Sequence, residues 1–195
     1  MSSVADNITH LRSQLPPEVV LVAVSKTKPL EDLQTAYDAG QRDFGENRVQ
    51  EMAEKHAALP KDIRWHMIGH VQTNKIKEFA PWIHLVHGVD RIKVLEVLET
   101  EAAKAGRAVD ALLQVHIAQE ETKFGFSSEE LIPLLTRTAL QAYPNVRIRG
   151  LMGMASFTPD QQQVAHEFAQ LSALFLAGKE QLGFDYFDTL SMGMS

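Results

Sequence analysis

VVLVAVSKTKPLEDLQTAYDAG, residues 19–40, opens on branched apolar side chains, breaks at a charged cluster and passes into a stretch of helical period. The run at 19–25 has the length and β-branched content of a strand buried on both faces. Pro29 suits the first turn of a helix, Leu30, Leu33 and Tyr37 share one face of it, and Gly40 supplies a stop. A strand delivered into a helix through a short loop is the repeating step of a parallel sheet with crossover helices.

The same alternation continues outward from this stretch. Further strands are predicted at 43–46, 64–69, 84–89, 111–117, 148–155 and 189–192, which makes seven with the first. Asp90 stands where it can cap a helix whose buried stripe is Ile92, Leu95, Leu98 and Ala102 and whose stop is Gly106. Thr158-Pro159 opens another, carrying Val164, Phe168, Leu171 and Phe175. Ser127 and Glu130 have capping-box spacing, and Pro133 is expected to kink or shorten the helix that follows. With no repeat, low-complexity stretch or linker, residues 1–195 read as a single α/β domain. Seven βα-type units point to a (β/α)8 TIM-type barrel with one unit unaccounted for; an open doubly wound sheet is the competing arrangement.

Composition narrows the functions. The 195 residues are 45% hydrophobic, enough for one well-buried core. Lys+Arg total 19 against 25 Asp+Glu, a net charge of −6 that argues against reading a nucleic-acid backbone. An anionic ligand must then be held by local geometry. The absence of cysteine excludes disulfides, thiolate nucleophiles and thiolate metal sites, and a cytoplasmic setting is expected. The longest apolar run, 19–24, is far below membrane-spanning length, and residues 1–15 carry no basic leader pattern, so a soluble chain without a targeting segment or membrane contact is expected.

Lys26 is the residue with the most chemistry. Along a strand Val20, Val22, Val24 and Lys26 fall on one face, which aims an ammonium group where branched apolar side chains are expected to be buried. Burial disfavours the charged form of an amine, and a neutral amine condenses with an aldehyde. The plainer alternative is a lysine that snorkels from a strand end into solvent. Lys28, just before Pro29, is its expected solvated neighbour.

AVSKTKP at 23–29 resembles the cofactor-lysine motif of the pyridoxal phosphate homeostasis protein family, whose barrel is related to the N-terminal domain of alanine racemase. FGENRVQE at 44–51, WHMIGHVQTNK at 65–75, GLMGMA at 150–155 and SMGMS at 191–195 are similar to that family in the same order, and together they span nearly the whole chain. The resemblance implies a barrel of the alanine racemase N-terminal type that binds pyridoxal 5'-phosphate (PLP). It implies Lys26 as the Schiff-base lysine, with strand-end loops at the C-terminal face around the ring and phosphate. Asn47 is a candidate to orient the cofactor, or else a helix N-cap. His116 is a candidate to pack on the pyridine ring, where the family usually shows asparagine, or else a hydrogen-bonded core histidine. Met152 resembles a position near the cofactor, or is plain packing. Ser191, Met194 and Ser195 resemble a phosphate-binding turn that presents N–H groups and hydroxyls.

Family members continue past this point with an eighth strand and helix, including a Gly-Ser-Thr and an Arg-Ile-Gly segment, so the sequence is expected to be a truncated form lacking the last βα unit. The implied function is reversible carriage and buffering of PLP, with transfer to apo PLP-dependent enzymes. No catalytic residue is assigned, since a racemase needs a base on each face of a planar carbanion and Lys26 supplies one. A PLP-dependent racemase or decarboxylase-like enzyme is the alternative. No metal site is expected. His66 with His70 on a strand would lie about 13 Å apart, His84 and His87 would face opposite ways, and a zinc needs ligands at about 2 Å. A pure interaction module using KTKP and TNKIK is a third reading. A monomer is favoured over a dimer.

Overall fold

The computed structural model describes residues 3–118 and 124–194. They fall into two compact units whose boundary lies between Gly69 and His70.

The first unit begins with α1 (Val4–Gln14), started by a capping box in which the Ser3 hydroxyl accepts from the Asp6 N–H and the Asp6 carboxylate accepts from the Ser3 N–H. β1 (Ala23–Val24) follows, then α2 (Leu30–Asp38), β2 (Asp43–Glu46), α3 (Val49–Ala58) and β3 (Arg64–Met67). β1 pairs in parallel with β2, and β2 with β3, setting Ala23 beside Phe44 and Phe44 beside Trp65. Phe44, Trp65, Met52 and Met67 are fully buried, with 6.0 Å between the Phe44 and Trp65 ring centroids. The apolar run at 19–25 yields only a two-residue strand, and Val20 and Val24 are 64% and 54% exposed. α2 starts directly after Pro29 as expected, but its buried residues are Leu33 and Ala36.

The second unit opens with a 3-10 turn at Thr73–Lys75 that runs into α4 (Ile76–Phe79). It continues with β4 (Leu85–Val89), α5 (Ile92–Lys104), β5 (Val109–Val115), α6 (Ser128–Leu134), α7 (Arg137–Leu140), β6 (Val146–Ala155), α8 (Gln161–Leu182) and β7 (Thr189–Met194). β4 pairs with β5, β5 with β6 and β6 with β7, all in parallel. Every residue of β4 and β5 is buried, as expected for strands covered on both faces. The Ser127–Glu130 capping box forms, and Pro133 sits inside an α6 of seven residues, after which α7 starts separately.

Two caps differ from expectation. α5 is preceded by Arg91 without a side-chain cap, because the Asp90 carboxylate is taken by His70 Nδ1 at 2.8 Å and Arg91 Nη1 at 2.5 Å. Its buried stripe gains Val94, while Ile92 is exposed. α8 is capped by Asp160, whose Oδ1 accepts from the N–H groups of Gln162 and Gln163, and Glu167 rather than Phe168 takes the buried position between Val164 and Leu171. Among the described residues no helix is long and apolar enough to cross a membrane.

Candidate functional site

In the first unit the candidate lysine lies in a tight turn two residues beyond β1. The Lys28 N–H donates to the Ser25 carbonyl at 3.1 Å, which closes a four-residue turn with Lys26 and Thr27 at its centre. Thr27 has φ +63°, the left-handed region that a β-branched residue adopts only under constraint.

The constraint lies beneath the turn. Lys55 of α3 is buried, and its Nζ donates to the Ser25 carbonyl, Glu46 Oε1 and Glu51 Oε1, each at 2.7 Å. All three ammonium protons are therefore used, the condition under which a lysine can be buried. The Ser25 hydroxyl donates to the same Glu46 Oε1 at 2.7 Å, and the Ser25 N–H donates to the Gly45 carbonyl at 2.9 Å. The Thr27 N–H donates to Glu51 Oε1 at 2.6 Å, so one carboxylate grips both the strained residue and the buried ammonium. Burial pushes the Glu46 carboxyl above its ordinary value, against the lowering effect of Lys55 and Ser25; its Oε2 has no hydrogen-bond partner among the described residues. Glu51 is lowered, first by its bond to Lys55.

Lys26 itself is exposed. This corrects the expectation of an amine buried on an apolar face. The lysine belongs to a turn rather than a strand, and Val20 and Val24 on that supposed face are themselves exposed. Asn47 follows β2 directly and is half-buried; it does not cap α3, whose N-cap position is Arg48 without a side-chain bond. Gly69 follows β3 where a Cβ would come within 2.6 Å of the Asn47 carbonyl oxygen, so the missing side chain lets the two strand-end loops close on each other. Lys26, Asn47 and Gly69 all stand beyond the C-terminal ends of their strands.

The second unit carries the remaining candidates. His116 follows β5 and is half-buried; its N–H donates to the Phe126 carbonyl at 2.9 Å, while the Phe126 N–H returns to the Gln114 carbonyl at 2.8 Å. Gly125, at φ +139°, permits this fold-back, since a Cβ there would lie 2.6 Å from the His116 nitrogen. Met152 lies within β6 and packs with Leu85, Leu112 and Met154 in a buried cluster, which is its packing role. Ser191 lies within β7, with its hydroxyl oxygen 2.9 Å from His87 Nδ1. The expected turn at 191–195 is corrected: the chain stays extended through Met194, which pairs with Ala155, because the parallel ladder with β6 runs to that point. Ser195 lies outside the described residues. After β6, Glu167 is buried and accepts from the Ser156 N–H and hydroxyl at 2.6 and 2.7 Å, fixing that loop as Lys55 fixes the one after β1.

Sequence reasoning passed over Lys55, Glu46, Glu51 and Glu167. Glu51 and Lys55 are four apart on a helix, ordinary surface-pair spacing, and Glu46 lies in the quoted FGENRVQE motif without an assigned role.

The fold is that of the (β/α)8 TIM-type barrel of the alanine racemase N-terminal domain, and the family model described as "Alanine racemase, N-terminal domain" matches residues 1–195. An alanine racemase from D-cycloserine-producing Streptomyces lavendulae has a TM-score of 0.79 over 98% of this chain and 50% of its own; at 17% identity the likeness is one of fold. Within that class the chain belongs to the pyridoxal phosphate homeostasis protein family. It is 38% identical to the pyridoxal phosphate homeostasis protein of Vibrio alginolyticus over 210 residues, covering 100% of this chain and 88% of that one. PipY of Synechococcus elongatus PCC7942, whose structure is known without PLP and with PLP bound, is 37% and 36% identical, with TM-scores of 0.90 and 0.86, in each case over 99% of this chain and 90% of PipY.

Proposed function

We propose that the chain holds PLP as a Schiff base on Lys26, the amine nitrogen replacing the aldehyde oxygen, which leaves as water, and that it serves to carry and buffer the cofactor. The observation that carries this reading is the fixed turn at the end of β1. It offers an exposed primary amine, at a set position above a buried ion cluster, in a chain 36% identical to a protein solved with PLP bound. An exposed lysine reacts through its neutral fraction, and the held turn contributes orientation.

Asn47, its amide not spent on a helix cap, and His116 are assigned to the ring; Met194 and Ser195 are assigned to the phosphate. Met152 belongs to the core cluster and Ser191 is bonded to His87, so any contact they make with the ligand is secondary to those roles. Release of PLP to apo PLP-dependent enzymes, action as a monomer and a cytoplasmic setting belong to the same proposal. Dedicated catalysis does not.

Addition of PLP to the purified chain is expected to produce a visible absorption band that borohydride fixes, and Lys26→Ala is expected to abolish it. A band unchanged in that variant overturns the assignment. The loaded protein is expected to leave the optical rotation of a single amino-acid enantiomer unchanged; sustained loss of rotation would replace the carrier by a racemase.

A further inference from the structure

Three side chains gather beneath the Lys26 turn, and none of them is a candidate to touch PLP: Glu46, Glu51 and Lys55, the last of which also donates to the turn's Ser25 carbonyl. Thr27 is the sole non-glycine residue with positive φ among the described residues, and it directly follows Lys26. Such a conformation persists where the surroundings impose it, and it concentrates where geometry serves function. The imposing contact is identifiable. The Thr27 N–H is bound to Glu51 Oε1 at 2.6 Å, and that same oxygen is fixed by Lys55 at 2.7 Å.

We infer that Glu51, anchored by Lys55, is a positioning residue that clamps Thr27 in its left-handed conformation and thereby fixes the direction in which Lys26 is presented. The inference rests on the proposed role of Lys26, and it assigns to Glu51 no contact with the ligand. Without the clamp Thr27 relaxes to negative φ, the turn reopens, and the lysine loses its set approach. The i,i+4 pairing of Glu51 with Lys55 is then the means by which α3 controls a loop after β1 rather than a surface ion pair. The bond to Lys55 lowers the carboxyl of Glu51 and so favours its ionised form; the clamp itself needs only the accepting oxygen.

Lys55→Met would strand the buried Glu46 carboxylate and endanger folding, so Glu51 and Thr27 are the positions to vary. Glu51→Ala is expected to weaken PLP binding, read as the half-saturation of the visible band, by about tenfold. Glu51→Gln keeps the accepting oxygen and is expected to stay within about threefold of the parent. The decisive variant is Glu51→Ala combined with Thr27→Gly. Glycine takes positive φ without a clamp, so binding is expected to return to within about threefold of the parent. A role in the electrostatics of the site would not be repaired by a glycine at 27, and a role in general stability is read separately by urea unfolding of the same variants. A double variant as weak as Glu51→Ala, or a Glu51→Ala variant that binds like the parent, overturns the inference.

Hydrogen exchange of the Thr27 amide in the chain without PLP tests the clamp apart from the ligand: about tenfold faster exchange is expected in Glu51→Ala, and an unchanged rate overturns the geometry. If Lys26→Ala retains the PLP band while Thr27 exchange responds as expected, the premise about Lys26 falls and takes the positioning role with it. The two failures are thereby distinguished.

Discussion

Thr27, beside the candidate Lys26, has a left-handed backbone whose N–H is held by Glu51 of α3. Its left-handed backbone costs about 1–3 kcal/mol, and the Glu51 and Lys55 contacts offset that cost. Replacing it by glycine relieves the strain but adds about 0.5–1 kcal/mol of unfolded-state entropy. Thr27→Gly alone is therefore expected to stabilise the chain by about 1 kcal/mol in urea unfolding, and a loss of stability would contradict the strain. At this scale the sequence was partly legible. Lys26 stands out as a candidate because AVSKTKP is a recognisable stretch and an amine after an apolar run is unusual. Its surroundings were not found. Lys55 reads as an ordinary solvated helix lysine, and its burial follows from the carbonyl of Ser25 being placed 2.7 Å from its Nζ, a contact 30 residues apart in sequence.

Among elements, two strand pairs, β2–β3 and β5–β6, are joined by charge starting at their N-terminal ends, while Lys26, Asn47 and His116 lie just past the C-terminal ends of β1, β2 and β5. Asp43 of β2 stands opposite Arg64 of β3 in the ladder and accepts from its Nε at 2.7 Å and Nη2 at 2.5 Å, with His66 Nε2 at 3.1 Å. In the second unit Asp110 of β5 does the same with Arg147 and Arg149 of β6. Burial alone would raise the Asp43 carboxyl, but the bonds from Arg64 and His66 outweigh it and hold the group well below its ordinary value. A carboxyl depressed in the folded state stabilises above its unfolded value of about 4 and loses that contribution as pH falls through the folded value. Asp43→Asn is accordingly expected to lose about 2 kcal/mol at pH 7, with the gap to the parent narrowing below about pH 4. An equal gap at pH 7 and pH 3 in urea unfolding would contradict this. The elements were legible as a series and less so in their limits. The run at 19–25 became two residues of strand because apolar content does not specify a ladder partner. Asp90 failed as a cap where Asp160 succeeded, because His70 and Arg91 compete for the Asp90 carboxylate, and that competition is set by folding.

For the whole molecule, the sequence motifs decided more than the patterning did. Periodicity left a barrel and an open sheet both standing; the ordered motifs from AVSKTKP to SMGM distinguished them, and the 38% identity and the TM-score of 0.90 agree with that choice. Patterning does not single out one lysine as the candidate attachment point. Lys26, Lys28, Lys55 and Lys75 all lie in or beside the resembling stretches, and of these Lys55 has its three protons committed. Borohydride reduction of the PLP-loaded chain, followed by proteolysis and mass spectrometry of the peptides, reads the attachment point directly. The fixed cofactor is expected on Lys26, and its recovery on Lys28 or Lys75 with Lys26 unmodified would contradict the site assigned at the end of β1.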